Sequence, residues 1–287
     1  MKLVTYRCGD GPAKPGLLDG DDVIDLAATV PGLPESLRTI VAAGMLRQVA
    51  DAGHSAAAVR VKKYTLLAPI QDPGKIIGIG LNYRDHALES GMAIPEEPIV
   101  FAKFPAAIVG PEEPIQLPAI SSEVDYEAEL VVVIGRRAIR VPESRAMEYV
   151  AGYTVGNDVS ARDWQLKKPG GQWVLGKSFS SFAPIGPALV TREEIADPHS
   201  LAIDLTLNGQ QMQSSSTSQL IFRIDQLIAY LSRIFPLDPG DLIFTGTPPG
   251  VGFARKPPVY LKPGDVCEVT IEGLGALRNT CMAEENV

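Results

Sequence analysis

The stretch Asp125-Tyr126-Glu127-Ala128-Glu129-Leu130-Val131-Val132-Val133-Ile134 sets two carboxylates, two residues apart, at the head of an apolar run. Alternate side chains of a strand share a face, so Glu127 and Glu129 point the same way. The run is apolar on both faces, which reads as a buried strand. Neighbouring carboxylates in such a place repel each other and lose hydration. A hard divalent cation relieves both costs, and Mg²⁺ and Mn²⁺ favour oxygen ligands in octahedral geometry. A third carboxylate, Asp158, ends a second apolar run that starts at Tyr149. Three carboxylates leave about three of six octahedral positions for water and substrate, the open arrangement that catalysis needs. The same spacing also fits a strand start facing solvent, and Asn157-Asp158 also fits a turn.

His86 and Glu89 lie in Asn82-Tyr83-Arg84-Asp85-His86-Ala87-Leu88-Glu89, just after the apolar Ile76–Gly80. Asn82 with Asp85 resembles a helix start. On a helix the i, i+3 pair His86 and Glu89 share a face. A carboxylate beside an imidazole orients it and raises its basicity, which suits it to taking a proton from water. A surface helix with an incidental ion pair has the same spacing. Gly80 and Gly91 flank the segment, which could then move as a lid. Gly171 to Ser178 satisfies the GxxxxGK[ST] pattern, yet Pro169 precedes it and Pro184 and Pro187 follow, where a long helix cannot continue. It is not a phosphate loop. Lys177 is instead a candidate point charge for a substrate oxyanion, or a plain surface lysine. Thr245-Gly246-Thr247-Pro248-Pro249-Gly250-Val251-Gly252 could grip a carboxylate through amides and hydroxyls, or serve as a rigid turn. Gly78-Ile79-Gly80 lacks the third glycine of a dinucleotide fingerprint. There is no GxSxG or HExxH.

The elements that must position these groups are mostly strands. Ile76–Ile79, Ile99–Ala102, Ala128–Ile134, Tyr149–Asn157, Ile203–Leu207, Leu242–Thr245 and Val266–Ile271 read as short strands between Pro/Gly turns. That pattern favours a sandwich, roll or barrel over a doubly wound sheet. Ser218 to Ile234 reads as a helix with Ile221, Ile224, Leu227, Ile228 and Leu231 on one face, ended by Pro236. Residues 1–70 read as a small α+β domain: a hairpin over Leu17 to Ile24, turned at Asp19-Gly20, then one helix from Pro34 toward Ala50. The remaining residues, 71–287, form the second, larger domain of this α+β, mostly β chain.

Composition narrows the function further. The 287 residues are 45% hydrophobic and 21% charged, which is ordinary globular usage. No apolar run has transmembrane length, and the first residues lack a signal-peptide core, so the expected compartment is the cytoplasm. The formal charge of -8 comes without any Lys/Arg block, which argues against nucleic-acid or anionic-membrane partners. Cys8, Cys267 and Cys281 are scattered and include no CxxC, so they fit reduced structural thiols and not a cysteine zinc site. An acidic protein acting on an acidic small molecule needs a local positive centre, which a bound cation supplies.

Taken in order, several segments resemble the fumarylacetoacetate hydrolase family. They are Gly80-Leu81-Asn82-Tyr83 leading to His86 and Glu89; Asp125 to Leu130; Gly156 to Gln165; Gly176-Lys177-Ser178-Phe179; Pro184-Ile185-Gly186-Pro187; and Thr245 to Gly252. The resemblance runs from about Lys75 to the C-terminus. It implies a catalytic domain built as a mixed β-sandwich roll, usually homodimeric, with a small N-terminal appendage. It implies Mg²⁺ or Mn²⁺, sometimes Ca²⁺, held by Glu127, Glu129 and Asp158. His86 and Glu89 would form a water-activating dyad on a mobile lid, and Arg162, Gln165, Lys177 and Thr247 would contact substrate. The expected reaction is hydrolysis of the C3–C4 bond of a 2,4-dioxo acid to a 2-oxo acid such as pyruvate plus a carboxylic acid. His86 would activate the water, and Lys177 or Gln165 would stabilise the oxyanion. The alternative is decarboxylation of an oxaloacetate-type acid, or enol–keto isomerisation, at the same site. The family often has Asp where this chain has Ser180, which makes the placement of Lys177 less secure.

Overall fold

The computed structural model describes residues 1–53, 55 and 57–284; His54, one of the chain's three histidines, lies outside them. Near the N-terminus, Lys14–Asp19 and Asp22–Asp25 form the expected hairpin, with Leu17 opposite Ile24 and Asp19 opposite Asp22. Gly20 turns it at φ +62°, a conformation that costs glycine little. The single helix expected beyond Pro34 is two short ones, Leu37–Ala42 and Leu46–Gly53. Gly44 lies between them at φ +68°, a left-handed residue that ends the first. Ser36 and Thr39 cap that first helix reciprocally, each side chain accepting the other's backbone N–H at 3.2 Å.

Strand Lys2–Arg7 pairs antiparallel with Ala183–Thr191, so hydrogen bonding runs without a break from the N-terminal strands into one 12-stranded sheet. Beyond Ala183–Thr191 that sheet continues through Val150–Asn157, Ala128–Ile134, Leu242–Phe244, Ile76–Gly80 and Ile99–Lys103. It is mixed: Leu242–Phe244 runs parallel to Ile76–Gly80, and its partner Ala128–Ile134 runs antiparallel to it. A second sheet of five strands holds Ala202–Leu207, Val266–Ile271 and Gly275–Ala283 at its centre. Val131 and Val155 of the first sheet share one core with Ile203, Leu205, Val269 and Leu277 of the second. Apolar faces buried between two sheets make the chain mostly β, a mixed sandwich roll.

The long helix is Ile224–Ile234 and starts six residues later than the periodicity predicts. Ile224, Leu227, Ile228 and Leu231 are buried as expected, whereas Ile221 lies outside the helix. The cause is a clamp. Asn82 accepts the Phe222 N–H through Oδ1 at 2.8 Å, and its carbonyl accepts the Ile221 N–H at 2.8 Å. Asn82 also donates through Nδ2 to the carbonyls of Phe222 and Thr245. It therefore caps no helix; Tyr83 precedes Arg84–Glu89 without a side-chain cap.

At the helix N-terminus the buried His199 accepts the Ile224 N–H through Nε2 at 3.2 Å, which requires a neutral ring. Burial, followed by the nearby charge of Arg223, lowers its pKa from the usual imidazole value. A depressed histidine contributes stability above the unfolded pKa near 6.5, and that contribution is lost as pH falls through the folded value. Thermal melts taken between about pH 7 and pH 5 should therefore fall more steeply for the wild type than for His199→Gln. Parallel curves would mean that the ring is not the titrating group.

Candidate active site

Ala128 pairs with Asn157 and Glu129 with Gly156, so the end of one strand brings Asp158 beside Glu127. The backbone fixes this corner: the Asp158 N–H donates to the Glu127 carbonyl at 2.9 Å, and the Glu127 N–H to Asn157 Oδ1 at 2.9 Å. Oxygens of Glu127, Glu129 and Asp158 lie within 4.8 Å of one another, all three residues buried.

Three cations surround them. Lys177 Nζ donates to Glu127 Oε2 at 2.8 Å, Asp158 Oδ2 at 2.7 Å and Ser160 Oγ at 2.8 Å, so all three of its donors are engaged. Its placement depends on these groups and not on Ser180, which is exposed. Arg162 meets Asp125 Oδ2 at 2.9 Å and Glu127 Oε1 at 2.6 Å, and donates to Gln165 Oε1 at 2.9 Å. Lys103, reaching in from Ile99–Lys103, is paired with Asp158 Oδ1 and donates to the Val159 carbonyl at 3.1 Å.

Sequence reasoning passed over Lys103, because a lysine on a strand is normally exposed. The available signal is alternation: Phe101 and Lys103 share the buried face. Gln213 is a second such residue. Its carbonyl accepts the Ala128 N–H, and its amide donates to Thr247 Oγ1 and the Pro248 carbonyl, all at 2.8 Å.

Four buried carboxylates, Asp125, Glu127, Glu129 and Asp158, thus face three buried cations. Burial alone would raise Glu127, but Lys177 and Arg162 outweigh it and hold its pKa well down. Glu129 goes the other way: burial, then the charges of Asp158 and Glu127, push its pKa far up. Its one hydrogen bond comes from the Gly246 N–H at 2.7 Å, and among the described residues it has no basic partner. A buried carboxylate without a counter-ion, beside two others, fits a site built for a divalent cation.

A cavity of about 250 Å³ opens over this cluster, with Glu127, Glu129, Arg162, Gln165, Lys177 and Thr247 on its wall. His86 lines the same cavity, its Nδ1 3.1 Å from Glu89 Oε2. Glu89 also accepts the Gly250 N–H through both oxygens, at 3.0 and 3.1 Å. The short helix Arg84–Glu89 is further held by Asp85 to Ser215 Oγ and by Arg84 to the Leu220 carbonyl at 2.7 Å. The nine residues named for chemistry in the sequence therefore meet around one cavity, eight on its wall or in its carboxylate cluster and Glu89 behind His86. The GxxxxGK[ST] stretch makes no phosphate loop: only Trp173–Gly176 is helical, and Lys177 turns inward to carboxylates. Among the described residues, no helix is long and apolar enough to cross a membrane.

The sequence profile described as fumarylacetoacetate (FAA) hydrolase, C-terminal, matches residues 75–282. Oxaloacetate tautomerase fahd2, mitochondrial, of Xenopus laevis is 49% identical over 97% of this chain and 89% of its own length. Fumarylacetoacetate hydrolase domain-containing protein 2 homolog of Dictyostelium discoideum is 50% identical, over 97% and 96%. Among solved structures, a putative HpcE protein from Mycobacterium smegmatis superposes with a TM-score of 0.90 at 42% identity, covering 99% of this chain and all of that one. Maleylpyruvate hydrolase from Sphingobium sp. SYK-6, solved with manganese(II) and pyruvate, gives 0.82 at 27% identity, with coverage of 99% and 100%. The chain belongs to the fumarylacetoacetate hydrolase family, whose members are enzymes acting on small molecules.

Proposed function

We propose that this chain catalyses the enol–keto isomerisation of oxaloacetate or a close 2-oxo acid, at a divalent cation held by Glu127, Glu129 and Asp158. The observation that carries the reading is a buried carboxylate triad, one member lacking any counter-ion among the described residues, facing a small cavity that also contains His86. Relatives of 46–49% identity over most of the chain bear the name oxaloacetate tautomerase, which favours isomerisation over cleavage as the main reaction.

When bound, Mg²⁺ or Mn²⁺ would supply Lewis-acid stabilisation of negative charge on the 2-oxo oxygen. Isomerisation takes a proton from the enol oxygen and places one on C3. His86 can move that proton, because Glu89 holds Nδ1 and leaves Nε2 toward the cavity. Lys177 and Arg162 hold Glu127 in place, and Lys177 and Lys103 hold Asp158. Thr247 Oγ1 accepts from Gln213 and keeps its own proton free to donate to substrate, as does the Gln165 amide.

A second reading is hydrolysis of the C–C bond of an acylpyruvate. It is favoured by the oriented His86–Glu89 pair, which an attacking water needs, and by the likeness to a maleylpyruvate hydrolase. The deciding assay follows loss of enol absorbance of oxaloacetate with Mn²⁺ or Mg²⁺ and again with EDTA, while assaying pyruvate. Metal-dependent loss without pyruvate is the expected result. Loss with pyruvate would assign decarboxylation. No acceleration, alongside pyruvate release from an acylpyruvate, would replace the main reading with the second. We further propose a homodimer: the sheet ends at Ile99–Lys103, where Val100 and Phe104 are exposed, and apolar sheet edges call for a partner.

A further inference from the structure

We infer that the cavity also takes 2-oxo acids carrying one apolar, ring-sized substituent on C3, for which phenylpyruvate is the simplest probe. The inference rests on the reading of the carboxylate cluster as the chelating end. Beside the polar groups, the same cavity is walled by Leu81, Met92, Ile99, Phe101, Leu166 and Trp173.

Two glycines seat the aromatic part of that wall. A Cβ on Gly78 would lie 2.1 Å from the Phe101 ring, and one on Gly80 would lie 2.9 Å from the Trp173 ring and 3.4 Å from Ile99. The strand Ile76–Gly80 thus lacks side chains at the two places where the rings stand. The rings pack on each other with centroids 5.7 Å apart, tilted by 57°. Phe101 joins this wall to the polar end, since Lys177 Nζ stands 4.7 Å from its ring centre.

Charge points the same way. Lys177 and Arg162 are the lysine and arginine on the described cavity wall, and both are committed to carboxylates. The C4 carboxylate of oxaloacetate sits directly on C3 and is short enough to stay with the chelating end. A carboxylate carried further toward the apolar end would meet no free ammonium or guanidinium group among the described residues, whereas a ring there would be buried against Trp173 and Phe101. At about 250 Å³ the space is below the roughly 300–1,000 Å³ of clefts for larger ligands, which limits the substituent to about one ring. Isomerisation of such an acid needs no co-reactant: the enol O–H bond breaks, a C3–H bond forms, and the C2–C3 double bond becomes the C2–O double bond.

The test is titration calorimetry of phenylpyruvate and of pyruvate into the Mn²⁺-saturated protein. Phenylpyruvate should bind at least about tenfold more tightly, the smallest discrimination a filled apolar pocket normally gives. Trp173→Ala should remove that advantage and leave pyruvate affinity unchanged. Leu166→Asp, at a side chain 50% exposed and so tolerant of charge, should do the same if Trp173→Ala fails to fold. Equal affinities in the wild type, or equal weakening of both ligands in the variants, would overturn the inference and leave the chelating reading standing. Failure of both acids to bind while Mn²⁺ binds would overturn the two together.

Discussion

Glu129→Gln is expected to remove turnover that depends on Mg²⁺ or Mn²⁺ while leaving the metal-free fold intact. Glu127 and Asp158 are each tied to buried cations, so losing either carboxylate strands an ammonium or guanidinium in the interior. Such a change destabilises strongly and confounds any assay. Among the described residues, Glu129 has no cation to strand. An amide keeps its volume and still accepts the Gly246 N–H, but it contributes no charge toward a cation. Altering groups that merely orient metal ligands costs about 10–100-fold in affinity or activity, so loss of a ligand charge should exceed about 100-fold. Melting separates the two effects. A cation present at about 100 times its Kd adds about 2.7 kcal/mol to stability, which is a rise of roughly 5 °C for a chain of this size. The wild type should show that rise with Mn²⁺. Glu129→Gln should lose it and melt, without metal, no lower than the wild type. A variant that keeps the full rise would show that Glu129 is not a ligand.

Much of this arrangement is legible in the sequence because strands write their faces into it. The run Ala128–Ile134 is buried throughout, and its period of two sets Glu127 and Glu129 on one side before any partner strand is known. The register that brings Asp158 to them is not legible, because it depends on Ala128 meeting Asn157 across 29 residues of chain. Helix limits fail for a related reason. Periodicity carries the long helix back to Ser218, but Asn82, more than 130 residues earlier, binds the backbone at Ile221 and Phe222 and holds it out of the helix. Residues 37–53 fail locally: the apolar spacing runs on through Gly44, whose left-handed backbone breaks the helix in two. Lys103 and Gln213 are hidden because their types are ordinarily solvated. Only the tertiary structure shows carboxylates and free backbone groups waiting for them in the interior.

His86→Ala should separate proton transfer from cation binding. The imidazole is on the cavity wall but is paired with Glu89 and not with the carboxylate triad, so its removal leaves all three proposed ligands and their cations in place. A positioned acid–base group is worth about 10²–10⁴ in rate, and the variant should lose that much in kcat while its Mn²⁺-dependent rise in melting temperature stays at the wild-type value. Glu89→Gln makes a finer division. An amide oxygen can still accept the Gly250 N–H that now anchors the carboxylate, so the helix Arg84–Glu89 keeps its seat. What is lost is the carboxylate oxygen 3.1 Å from Nδ1 that fixes the tautomer and orientation of the ring. Its rate should therefore fall between those of the wild type and His86→Ala. If His86→Ala kept the wild-type rate, the proton would have to travel by another route. Other polar residues on the cavity wall, Thr247, Gln165 and Ser90, would then be the next to replace.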